Sequence, residues 1–157
     1  MRYLLLALFF FGAGFAGGLY SLPIIQAAKL SPPTVAGFTG QEAGRRGVFR
    51  DDLPGNDMLH WGRGAVLVTE QLVAFEAVEL APGPDYRLYL LPKPVEDESG
   101  FLAIKAHSVA VAEVKTFSGS AQYRIPAGVN VDDYQAVLVW CEAFGEFISM
   151  AVLDKRV

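Results

Sequence analysis

Positions 3–28 carry no charged side chain, and the run YLLLALFFFGAGFAGGLYSLPII is long enough to cross the roughly 30 Å hydrocarbon core of a bilayer as a helix. After position 47 the pattern changes. Short runs of β-branched and aromatic residues are separated by turn signals about 8 to 12 residues apart, which predicts an all-β antiparallel sandwich or barrel-like domain. Positions 30–47 hold SPPTVAGFTGQEAGRRG, rich in Pro, Gly and small polar residues and without apolar periodicity, and read as a linker. The pair Arg45-Arg46 falls in this stretch and is expected to be solvated.

Within the β-rich part, DDLPGND at 51–57 stops a strand after Phe49 and turns the chain back. The runs 64–69 and 72–80 flank Glu70-Gln71 and predict a hairpin. In a regular second strand Leu72, Ala74, Glu76, Val78 and Leu80 share one face, and Val73, Phe75, Ala77 and Glu79 share the other. APGPD at 81–85 breaks the chain, YRLYLL follows as a strand, and 92–100 reads as an acidic loop. Further strands are expected at 101–105, 108–114, 121–125, 136–141 and 146–153. No amphipathic helix is expected after position 47. The predicted organisation is therefore an N-terminal transmembrane anchor or signal peptide at 1–28, a linker at 29–46 and a β-domain at 47–157.

Arg2 and the α-amino group precede the apolar run and Lys29 follows it, a bias that puts the N-terminus inside and the domain outside. A cleaved signal peptide is the alternative, since Gly14-Phe15-Ala16 offers small residues at a cleavage position. A signal's apolar region usually spans about 7 to 15 residues, however, and this one continues past Gly18. Either way positions 29–157 are exported. The expected location is the cell membrane, single-pass with the domain outward, or the periplasm or exterior after cleavage. GAGFAG at 12–17 matches the dinucleotide fingerprint GxGxxG by letter only, because it lacks the preceding strand, the amphipathic helix and the later acidic residue.

A chain of 157 residues with 52% apolar and 19% charged side chains can bury the core of one domain. Its net charge of −4 argues against nucleic acid and against an anionic membrane surface as partners. There is no GxSxG, no GxxxxGK[ST], no HExxH and no CxxC, and no motif decides whether the chain is an enzyme. The acidic groups Asp51, Asp52 and Asp57, and Glu96, Asp97 and Glu98, have the spacing of turns and solvated loops and not of a calcium loop.

The remaining candidates for chemistry are Cys141, His60, His107, Met58 and Met150, side chains able to ligate a soft metal or a haem iron. The chain has one cysteine. By strand alternation Cys141 shares a face with Val137 and Val139 and could be a small core hydrophobe. Oxidising compartments pair, cap or damage an accessible lone thiol, so a cysteine kept there is either buried or used.

Gly47-Val-Phe49, His60-Trp-Gly-Arg-Gly64, Gly83-Pro-Asp85 followed by Leu-Tyr-Leu, Tyr123-Arg-Ile-Pro126, Tyr134 and Val139-Trp-Cys141 occur in this order. Over roughly 47–154 the chain resembles the DM-thirteen family, the electron-transfer DM domain found with DOMON-type modules. The aromatic–Cys pair Trp140-Cys141 is the most specific element. The resemblance implies an extracytoplasmic β-sandwich with a redox or ligand role for Cys141, with His60 and Trp140 as cofactor-binding partners and haem as the suggested prosthetic group. It also implies a redox partner protein, because no accompanying DOMON or cytochrome-type domain is present. The alternative is a non-catalytic adhesion or ligand-binding module in which Cys141 and Trp140 belong to the core.

Overall fold

The structure is a computed structural model that describes residues 2–27 and 43–155, without the side chains of 19, 20 and 22–27. The expected linker positions 29–42 lie outside the described residues. Helix α1 takes Arg2–Ala27. Its large apolar side chains from Tyr3 to Phe15, among them Leu4, Phe9, Phe10 and Phe11, are exposed. Among the described residues no helix is long and apolar enough to cross a membrane.

The domain is one antiparallel sheet of eight strands: β1 (Arg45–Phe49), β2 (Gly62–Val68), β3 (Leu72–Leu80), β4 (Tyr86–Leu91), β5 (Val109–Val114), β6 (Ser118–Arg124), β7 (Ala136–Cys141) and β8 (Glu146–Val152). Their order across the sheet is β5-β4-β7-β8-β1-β2-β3-β6. The two outer strands, β5 and β6, come back beside each other, so the sheet rolls into a nearly closed barrel and not a two-sheet sandwich. The hairpin around Glu70-Gln71 forms with Val68 opposite Val73.

Strand β7 explains why AVLVWC has no polar position. All six residues are buried, because both faces of the strand are covered. Val137, Val139 and Cys141 face the barrel interior with Phe49, Phe75, Tyr86 and Ile148. Ala136, Leu138 and Trp140 face outward into a second cluster with Tyr89, Phe101, Phe147 and Met150.

That second cluster exists because of a helix the pattern did not announce. Residues expected as a strand at 101–105 instead continue helix α2 (Glu98–Ile104), followed by a 3-10 turn at Lys105–His107. Asp97 caps it, accepting from the Gly100 N–H at 2.7 Å through Oδ1. At seven residues α2 is too short to show more than one apolar pair, Phe101 and Ile104, three positions apart. These two side chains close the lid over β4, β7 and β8.

Two further differences have local causes. Arg45 and Arg46 belong to β1 and not to a solvated linker: Arg45 donates from Nε to the Asp154 carbonyl at 2.8 Å and from Nη1 to that of Tyr134 at 2.5 Å. Strand β3 breaks its own alternation at a bulge between Phe75 and Val78, where Ala77 has φ 50°. Val73, Phe75, Val78 and Leu80 therefore all reach the interior. The bulge fits against Gly64 (φ +113°), whose place in β2 would put a Cβ 2.5 Å from the Val78 Cα.

Candidate functional site

Cys141 ends β7 and starts the four-residue connection to β8, closed by the Gly145 N–H donating to the Cys141 carbonyl at 2.9 Å. The thiol is 2% exposed and donates to the Pro84 carbonyl at 3.1 Å. It lines a cavity of about 150 Å³ together with Leu59, His60, Pro82, Gly83, Pro84, Tyr86 and Phe144. Gly83 is required there, because a Cβ would fall 2.5 Å from the Tyr86 phenol oxygen. Asp85, with φ 50°, turns the chain out of the cavity wall and accepts the Glu142 N–H at 3.0 Å.

Electrostatics hold the sulfur in its protonated form. Burial is the main cause pushing the Cys141 thiol above its ordinary value, and the charges of Asp85 and Glu146 add to it. The backbone N–H groups of Phe144 and Ala143 aim at the sulfur and work the other way without prevailing.

His60 reaches the same cavity from the loop between β1 and β2. Asn56 ties that loop down, donating from Nδ2 to the carbonyls of His60 (3.1 Å) and Ile148 (2.8 Å). Asp57 orients the imidazole: Oδ1 accepts the N–H groups of Leu59 and His60 at 2.7 Å each, and Oδ2 lies 3.0 Å from Nδ1. The Leu59 N–H and the His60 ring keep the Asp57 carboxyl below its usual range. With Nδ1 taken up by Asp57, Nε2 is the nitrogen left for the cavity.

Trp140 does not join them. It is 1% exposed on the opposite face of β7, with its ring centroid 4.7 Å from that of Phe101. Lys105 lies over it, its Nζ 5.6 Å from the Trp140 centroid, 5.7 Å from Phe101 and 5.8 Å from Tyr89. The ammonium also bonds Glu142 Oε2 at 2.6 Å, and the Tyr89 hydroxyl donates to Oε1. Burial acts to raise the Glu142 carboxyl, but Lys105 and Tyr89 outweigh it and hold the group below its ordinary value. This network fixes the residue that follows Cys141. A cation over the three rings also disfavours a positive hole on any of them.

The other candidates lie elsewhere. His107 is exposed at the end of the 3-10 turn, Met150 is buried in the outer cluster, and Met58 is exposed beside Leu59. Among the described residues no group of three or more His, Cys, Asp or Glu side chains is placed to hold a metal ion. Haem, the group the family resemblance suggests, does not fit between Cys141 and His60: the cavity is below the roughly 300–1,000 Å³ of sites for drug-sized ligands. Asp57 and Phe144 are the residues sequence reasoning missed. The spacing Asp57-x-x-His60 was visible but indistinguishable from a turn, and Phe144 carries no motif.

Fold and site together define a small β-barrel domain with one thiol at the wall of a solute-sized cavity. Residues 55–153 match the family described as Electron transfer DM13, and the chain belongs to that family. No curated protein and no solved structure matches it.

Proposed function

We propose that this chain is an exported, membrane-tethered electron-transfer domain whose redox group is Cys141. The observation that carries the reading is the placing of Cys141 and His60 on one cavity of about 150 Å³, large enough for a small solute. Family membership supports the electron-transfer role. Tethering is supported by the charge-free run at 3–28 and by the exposed apolar side chains of α1, which need a nonpolar surround.

A thiol with no second cysteine in its chain cannot close an internal disulfide, so the product within reach is a sulfenic acid. The oxidant is a small peroxide. The sulfur attacks one peroxide oxygen, an S–O bond forms and the O–O bond breaks, the sulfur loses two electrons, and the departing oxygen leaves as an alcohol or water. His60 takes up the thiol proton and passes it to that oxygen. A redox partner returns two electrons, which with two protons restore the thiol and release water.

The test is a carbon-nucleophile trap for sulfenic acid on the full chain exposed to hydrogen peroxide. One adduct per chain in the wild type and none in Cys141→Ala supports the reading; a trapped wild type indistinguishable from the variant rejects it. The protonated, buried thiol also favours a second reading, a binding module with Cys141 in its core, and the same experiment separates the two.

A further inference from the structure

Two of the six large apolar side chains exposed among residues 43–155, Leu59 (58%) and Phe144 (60%), line the Cys141 cavity, and the exposed Met58 (93%) precedes Leu59 in the chain. Scattered exposed apolar residues need no explanation, but a cluster around a cavity marks a contact surface. The charges bordering it are mainly of one sign. Asp57 holds His60 at the mouth, Asp85 follows Pro84 of the cavity wall, and Glu146 stands opposite Cys141 in the β7–β8 pairing. Arg87 approaches Asp85 at 3.9 Å, while Lys105 is engaged by Glu142.

We infer that this mouth is the docking surface for a redox protein that presents its electron-donating group in an apolar patch ringed by Lys and Arg. The inference rests on the proposed role of Cys141 and names the chemistry of its partner. The carboxylates select among occupants. A second copy of this chain would set acidic rim against acidic rim, and an anionic lipid surface would be repelled. A basic ring is attracted, and Leu59 and Phe144 give the contact an apolar centre. Docking there places the donor at the cavity that the sulfur lines.

The experiment uses the full chain in nanodiscs of zwitterionic lipid, with a basic c-type cytochrome as binding probe. The expected result is binding that weakens about tenfold or more between 20 and 200 mM salt. It should weaken several-fold in Phe144→Ser and in the combined Asp57→Asn, Asp85→Asn and Glu146→Gln variant, and stay unchanged in Val48→Ser, an exposed apolar position on β1. No binding at low salt, or equal effects at the rim and at Val48, overturns the inference. Self-association by sedimentation, or binding to anionic vesicles, that Phe144→Ser abolishes also overturns it, in favour of those occupants. Cys141→Ala separates the two readings. Docking kept while sulfenic acid trapping is the same with and without Cys141 removes only the thiol role, and trapping kept without docking removes only the surface.

Discussion

The protonated state of Cys141 has a consequence that can be measured in two ways. The native state binds the thiol proton more tightly than the unfolded chain, because burial and the Asp85 and Glu146 charges disfavour the thiolate. Below the ordinary thiol value of about 8.5 both states keep the proton and the group is neutral in stability. Above it the unfolded chain releases a proton that the native state retains, so stability falls as pH rises, with a slope that approaches about 1.4 kcal/mol per pH unit for one proton. Urea melts from pH 7 to 10 on the wild type and Cys141→Ala isolate this effect, because other titrating groups cancel in the difference. At pH 7 the variant should be less stable by about 1 to 3 kcal/mol, from the lost sulfur contacts at a 2% exposed site and the orphaned Pro84 carbonyl. That gap should shrink steadily above pH 8.5. Iodoacetamide labelling of the wild type should speed up about tenfold per pH unit without levelling off at pH 8.5. A pH-independent gap, or a labelling plateau below pH 8.5, would refute the reasoning.

Other expectations follow from single contacts. Gly64→Ala should cost about 2 to 4 kcal/mol in a urea melt, since it places a Cβ at a positive φ and against the Val78 backbone. Phe101→Ala should cost about 3 to 5 kcal/mol, because its fully buried ring joins Tyr89 to Trp140 beneath α2. Lys105→Met should destabilise by about 1 to 2 kcal/mol near pH 7, and the loss should fade as pH drops through the Glu142 carboxyl range, where the depressed group gains its proton and the pair is lost in the wild type too. Asp57→Asn should slow sulfenic acid formation and change its pH profile, read by the trapping assay, because the imidazole loses its orienting partner.

The sequence made strands legible where one period governed the burial. YRLYLL and AVLVWC appear with their expected bounds, and the face Cys141 shares with Val137 and Val139 followed from simple alternation. Reading failed where geometry departs from that period. The Ala77 bulge turns Phe75 and Val78 to the same side, and α2 is built by the Asp97 cap and two side chains, too little for a 3.6-residue pattern to emerge. The candidate site was half legible. His60 and Cys141 were singled out and do meet at one cavity, although 81 positions separate them in the chain. Trp140 was grouped with Cys141 through the aromatic–Cys pair of the family resemblance, yet neighbours on a strand point to opposite faces, and Trp140 packs under Lys105 on the far side. Phe144 could not be recognised, since a loop aromatic becomes a rim residue only when the barrel closes.

The most direct test of the central claim is an electron count on the full chain by mediated coulometry, after exposure to a stoichiometric amount of hydrogen peroxide and removal of the unreacted peroxide by desalting. The account predicts an uptake of two electrons per chain in the wild type and none in Cys141→Ala. Equal uptake in both proteins would contradict it and would place the redox chemistry, if any, away from Cys141.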